Sequence, residues 1–253
     1  MTRSSLALGA LLVAALISPA PAGADALPGC AAVDSAARGT ATDCRTVSTD
    51  RSGLVFEGRT ESVGPHAYRT AVTVLSPGGQ ESQVITEDTV HGYAPRYLLR
   101  DLDGDGRDEL LIITSSGGTG GDGMAVWRAT ADAATLRRAG EMFGFRKFWK
   151  TADGFIAQYA HSGAAAGSVS LYEFVDDTLV TVAVLDVQTL DWPDVPPRHQ
   201  WEINGDTKCG LSTDDHPPGS LAARNQALRD ARIDPDTAAQ RFCAEPWVAN
   251  FYR

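Results

Sequence analysis

Between two short apolar runs the chain places Asp101-Leu102-Asp103-Gly104-Asp105-Gly106-Arg107-Asp108-Glu109, and no other segment restricts the fold as much. The run that follows, Leu110-Leu111-Ile112-Ile113, is short and dense in branched side chains, so it reads as a buried strand rather than a helix. The run that precedes, Tyr97-Leu98-Leu99-Arg100, is strand-like as well. Carboxylates crowded into such a turn repel one another unless a cation stands among them. Gly104 and Gly106 give the backbone the freedom to curl that tightly.

Acids at loop positions 1, 3, 5 and 9, with glycine at 6, form a ladder of hard oxygens suited to Ca²⁺, which takes about six to eight of them. Asp101, Asp103 and Asp105 supply the first three carboxylates. Arg107 offers its backbone carbonyl with its side chain in water, and Glu109 reaches back with its extra carbon. Asp108 reads as an outward, solvated charge. An EF-hand is excluded, because it needs a bidentate Glu at position 12 and helices on both sides, whereas that position is Ile112 inside a strand.

The stretch Asp101 to Ile113, DLDGDGRDELLII, resembles the calcium loop of FG-GAP/VCBS-type repeats, found in integrin-like β-propellers and in many secreted bacterial proteins. The resemblance implies Ca²⁺ as the cofactor, held by Asp101, Asp103, Asp105, the Arg107 carbonyl and Glu109. Glu109 stands where that family commonly has Asp. The chain carries the loop once, whereas propellers repeat it blade after blade. The segment from 50 to 190 has room for about two or three four-stranded units rather than a full ring.

Other segments extend the β pattern. Ala71–Leu75 and Ser82–Thr86 flank the turn signal Ser76-Pro77-Gly78-Gly79 and read as a hairpin. Met124–Trp127, Phe155–Tyr159, Val169–Phe174 and Leu179–Leu185 continue the series, with Asp176-Asp177 as a tight turn between the last two. After Pro196-Pro197 the character changes. Ser220 is expected to cap a helix over Leu221–Ile233, and Asp234-Pro235-Asp236 to start a second. The aromatic tail Phe242, Trp247, Val248, Phe251 and Tyr252 is expected to pack on the sheet, with Cys243 pinning it. The fold class is therefore mainly β, an antiparallel meander, sandwich or partial propeller with a small helical C-terminal cap. The divisions are a leader over 1–24, an N-terminal segment over 25–50, a β domain over 51–195 and the cap over 196–253.

The leader has a basic start at Arg3, an apolar stretch from Leu6 to Ile17, and the cleavage pattern Ala22-Gly23-Ala24. It implies a secreted, extracellular protein, and no later segment is apolar enough for a membrane span. Leu27-Pro28-Gly29-Cys30 offers lipid anchoring at Cys30 as the lesser alternative, since Pro28 is atypical there. Four cysteines suit an oxidising compartment, and although three connectivities are open, proximity favours Cys30–Cys44 and Cys209–Cys243. A net charge of −10 without a basic tract argues against nucleic acid.

A ligand-binding face is a further candidate. Arg137, Arg138, Arg146, Lys147 and Lys150 interleave with Phe143, Phe145, Phe148 and Trp149, and Arg146, Lys147 and Trp149 are the residues suited to grip a carbohydrate or protein at the envelope. The function expected is a calcium-binding β module with a binding or structural role. The alternatives are a secreted hydrolase using His161 with a nearby acid, and an inhibitor of a secreted enzyme presenting the loop 115–123.

Overall fold

The computed structural model describes residues 27–30, 43–90, 97–118, 120–129, 135–192 and 200–252; the expected leader lies outside them. The protein is mainly β, as its alternating patterns require. The first sheet has eight strands: β1 (Cys44–Val47), β2 (Val55–Gly64), β3 (Ala67–Leu75), β4 (Glu81–Val90), β5 (Tyr97–Arg100), β6 (Glu109–Ser116), β7 (Asp122–Ala129) and β8 (Leu136–Gly144). They form a meander in the order β1-β2-β3-β4-β6-β7-β8, with β5 paired to the start of β6. β4 meets the end of β6 in a parallel step at Val90 and Ser115, and Gly29 makes an isolated parallel bridge to Arg45 of β1.

The second sheet has six strands: β9 (Phe148–Lys150), β10 (Ile156–Gly163), β11 (Ala166–Val175), β12 (Thr178–Thr189), β13 (Glu202–Asn204) and β14 (Thr207–Leu211). Its order is β13-β14-β12-β11-β10-β9, so β9 is an edge strand and, among the described residues, neither sheet closes into a barrel.

Local chemistry explains the turns. Gly79, at φ +78°, completes the β3–β4 hairpin, with its amide donating to the Ser76 carbonyl at 2.8 Å. Asp176 and Asp177, at φ +47° and +63°, form the two-residue turn between β11 and β12 whose twist suits a hairpin.

β6 shows why the run Leu110–Ile113 is apolar throughout. Leu110 and Ile112 face the core of the first sheet with Phe56, Val72, Val74 and Ile85. Leu111 and Ile113 face the opposite way, into an inter-sheet core with Met124, Val126, Met142 and Ile156. β6 is buried on both faces. The far face of the second sheet, with Leu171, Val182, Leu185 and Val187, is covered by the C-terminal elements through Leu228, Phe242 and Val248.

Those elements are α1 (Ser220–Asp230), α2 (Pro235–Cys243) and the single turn α3 (Pro246–Ala249). Ser220 begins α1 instead of capping it. Gly219, at φ +90°, is the N-cap, and the Asp215 carboxylate accepts the Leu221 amide at 2.8 Å. α1 also ends before Ile233: Arg232 turns left-handed at φ +61°, and the Ile233 amide returns to the Leu228 carbonyl at 2.8 Å, closing the last turn. Asp234 caps α2 through the Asp236 amide, with Pro235 in the first turn. Residues 196–253 are not wholly helical, because β13 and β14 form a hairpin that widens the second sheet.

Both disulfides join the pairs favoured by proximity, Cys30–Cys44 and Cys209–Cys243. The Cys30 sulfur is thereby engaged and is not free for a lipid thioether. No helix among the described residues is long and apolar enough to cross a membrane.

Candidate functional site

The acidic loop joins β5 to β6, which pair antiparallel with Arg100 opposite Glu109, so the strands clamp both ends of the turn. Inside it, the side chains organise the backbone. Asp101 accepts the amides of Gly104 at 2.7 Å and Gly106 at 3.1 Å, Asp103 accepts that of Asp105 at 3.2 Å, and Asp105 accepts that of Arg107 at 2.8 Å. Gly104 and Gly106 have φ of +76° and +85°, the conformation for which glycine suits these positions. Glu109 is 1% exposed and accepts the Leu102 amide at 2.9 Å, closing the loop from below.

Asp101, Asp103 and Glu109 each present a carboxylate oxygen, and these oxygens lie within 4.8 Å of one another. That spacing suits a shared cation. Asp105 stands outside this trio, and Arg107 meets the loop through its backbone amide.

A resident cation, which sequence reasoning missed, already enters the cluster. Arg128, at the end of β7, places its guanidinium 2.7 Å from Asp103, 2.9 Å from Asp105 and 3.2 Å from Glu109. It also lies 3.3 Å from Asp177 and 4.1 Å from the centre of the Phe174 ring. Burial would lower the Arg128 pKa, yet the acids, Asp103 foremost, hold it above its ordinary value. Against the carboxylates of Asp101, Asp103 and Asp105, one guanidinium leaves negative charge uncompensated.

Glu109 responds first to its burial. Burial pushes its carboxyl up to about 8; Asp103 and Asp105 add to the rise, while the Leu102 amide and Arg128 oppose it. Lys150 on β9 is a second cation in the same field. Burial pulls its ammonium down, while Asp103, Asp101 and Glu109 act to hold it up. The residues present therefore fit a divalent cation: a trio of converging carboxylates, one of them buried, with negative charge to spare.

Two expectations about this loop are corrected. Asp108 is not a solvated charge; it is 5% exposed and accepts the Thr49 amide at 2.5 Å and the Thr49 hydroxyl at 2.9 Å. Its own amide donates to Asp50 at 3.1 Å. Burial would raise the Asp50 carboxyl, but hydrogen bonds from Ser52 and the Asp108 amide hold it below the ordinary range. The Arg107 side chain does not point freely to water, because its Nε lies 3.9 Å from Asp50. The loop is thus tied to the segment after β1.

The proposed ligand face divides. Lys147 and Trp149 line a groove of about 560 Å³, whereas Arg146 turns to Asp122 at 2.9 Å and does not line it. Phe145 of the same stretch joins them, and the other walls come from distant sequence: Tyr159 on β10, and Trp247, Asn250 and Phe251 in the C-terminal turn. The aromatic tail, read only as packing, therefore contributes to a concavity as well as to the core.

The remaining candidates are placed as follows. The His161 ring meets Tyr159 at 5.5 Å and Phe145 at 5.7 Å, and no carboxylate bonds to it among the described residues. Of the loop 115–123, Gly120 and Gly121 touch both sheets: the His161 amide of β10 donates to the Gly120 carbonyl at 2.9 Å, and a Cβ on Gly121 would sit 2.5 Å from the backbone of Gly144 at the end of β8.

No family model matches the chain, and no curated protein matches it. Among solved structures, a Xanthomonas type IV secretion system related protein is similar over 70% of this chain and 100% of its own, at 15% identity and a TM-score of 0.38.

Proposed function

We propose that this chain is a secreted, calcium-binding β module of FG-GAP/VCBS type that serves a binding or structural role at the cell envelope. The observation that carries the reading is the convergence of Asp101, Asp103 and Glu109 oxygens within 4.8 Å on a loop clamped between two strands. Bound Ca²⁺ would supply charge neutralisation. Asp101 and Asp103 hold the loop amides and so orient their remaining lone pairs inward, and Glu109 anchors the floor through Leu102. Asp105 and the Arg107 carbonyl are the further donors that the family resemblance implies. Two disulfides support an oxidising, extracytoplasmic setting. The envelope ligand, carbohydrate or protein, belongs to the groove rather than to the loop.

The test is thermal unfolding of residues 25–253 in EDTA and then in millimolar Ca²⁺, beside an Asp103→Ala/Asp105→Ala double variant. Ca²⁺ at about a hundredfold excess over Kd stabilises by about 2.7 kcal/mol. That is a Tm rise of about 5–10 °C for a domain of this size, and it should be absent in the double variant. An unchanged wild-type Tm with no heat of binding would overturn the calcium assignment.

A further inference from the structure

The groove beside β9 has a composition that discriminates among ligands. Among the described residues its apolar walls are all aromatic: Phe145, Trp149, Tyr159, Trp247 and Phe251 line it, and no aliphatic side chain does. The rings meet at steep angles, Trp149 to Trp247 at 67° and 5.3 Å, Tyr159 to Phe251 at 67° and 4.4 Å, and Phe145 to Tyr159 at 50° and 5.7 Å. Steeply set faces make walls around a volume, so the space suits a puckered, saturated ring better than a flat one. A π face is negative, and the weakly positive C–H groups of a sugar ring complement it.

Polarity narrows the class. Two polar side chains line the groove, the exposed Lys147 and the amide-bearing Asn250, and no carboxylate does among the described residues. An ammonium without an acidic neighbour repels cationic ligands and attracts anions. Arg146 is neutralised by Asp122, whereas Lys147 forms no ion pair among the described residues. In a chain of net charge −10, this is a local reversal of sign at the mouth of an aromatic cavity.

The walls are held in place before any ligand arrives. The Tyr252 hydroxyl donates to the Val187 carbonyl at 3.0 Å and lies 3.2 Å from the Tyr159 hydroxyl. The Trp247 indole donates to Glu245 at 2.7 Å, and the Cys209–Cys243 disulfide fixes the segment that leads into the tail. Side chains already ordered lose little entropy on binding.

We propose that this groove binds a saccharide bearing a carboxylate. Trp149, Tyr159, Trp247 and Phe251 are the platforms for the sugar ring, Lys147 pairs with the carboxylate, and Asn250 bonds to hydroxyls. The assignment rests on reading the chain as an extracytoplasmic binding module, and it names the ligand class of that module. An acyl chain is disfavoured by the absence of aliphatic walls. A proline-rich peptide, which also packs on aromatic grooves, gives no reason for the unpaired Lys147.

The mature chain is titrated, following tryptophan emission and heat, with galacturonate, glucuronate and sialate oligosaccharides and with their uncharged hexose counterparts. A decaproline peptide and dodecanoate are run alongside. EDTA is present throughout, so that no bridging Ca²⁺ mediates binding. At least one acidic oligosaccharide should bind at least tenfold more tightly than its uncharged counterpart. Lys147→Met should remove that preference, bringing acidic and uncharged oligosaccharides to within about twofold of one another. Phe145→Ala, at a rim position 37% exposed, should weaken both without loss of fold, checked by Tm. Failure of every acidic saccharide, a preference indifferent to Lys147→Met, or saturable binding of decaproline or dodecanoate alone would overturn the proposal. The Ca²⁺-dependent Tm shift, recorded on EDTA-free aliquots of the same preparation, separates the two readings: a shift without saccharide binding sinks only the groove assignment, and saccharide binding without a shift sinks only the metal.

Discussion

The Arg128 guanidinium lies 2.7 Å from the Asp103 carboxylate, inside the loop that the sequence offers to a metal ion. The same group reaches Asp105 and the buried Glu109, so it serves as a permanent, partial counter-ion. A metal bound there, as proposed, would share one set of acids with the guanidinium and would add charge balance to an arrangement that Arg128 already holds.

Arg128→Met tests that sharing. The variant keeps the apolar stem but strips the charge, removing the guanidinium hydrogen bonds to Asp103 and Asp105 at a cost of about 1–3 kcal/mol. Urea unfolding in EDTA should show that loss, and the stabilisation produced by Ca²⁺ should be larger than in the wild type. Equal calcium responses in the two proteins would mean that Arg128 and the metal do not act on the same charges.

Glu109 predicts a pH dependence. Its folded carboxyl is pushed up to about 8 by burial, above the ordinary value of 4.5, so between those values the folded protein holds a proton that the unfolded chain releases. Stability without metal should therefore fall as pH rises from about 5 to about 8. Glu109→Gln should flatten this slope. Ca²⁺ requires the carboxylate form, so binding near pH 7 should release a proton, seen as a dependence of calorimetric heat on buffer ionisation enthalpy. A wild-type slope identical to that of Glu109→Gln would assign the pH response elsewhere.

The Cys209–Cys243 bond ties β14 to the end of α2 across a separation of 34 residues. Loop-closure entropy for that span amounts to about 4 kcal/mol. Cys209→Ser/Cys243→Ser should lose about that much in urea unfolding and should expose the C-terminal turn to limited proteolysis ahead of the sheets. A loss well under 1 kcal/mol would show that Phe242 and Val248 suffice to hold the cap.

What the sequence made legible was local. The strand Leu110–Ile113, the turn at Asp176-Asp177 and the start of α2 each depend on neighbours within a few positions. Arg128 was hidden because its role depends on register: Trp127 pairs with Leu110, which brings the next residue beside Glu109. Asp108 was misjudged for a similar reason, since its partner Thr49 is 59 residues away. The hairpin of β13 and β14 has a local signal, the two-residue turn Gly205-Asp206 with Gly205 at φ +61°, but it lies just upstream of a stronger helical pattern. The groove could not be read as one object, because Tyr159 and the terminal turn belong to opposite ends of the second half of the chain.

The Asp108–Thr49 clamp leads to a prediction that separates fold from metal. Asp108 is buried and accepts both the amide and the hydroxyl of Thr49, so Asp108→Ala strands two donors, at a cost of about 1–3 kcal/mol. Its carboxylate points to the segment after β1, and it is not one of the three converging loop acids. The variant should therefore melt lower in both EDTA and Ca²⁺ while keeping the wild-type difference between them. Calcium titration by calorimetry should return an unchanged Kd. A Kd weakened tenfold or more would instead make Asp108 part of the metal site and the Thr49 contact a property of the metal-free loop.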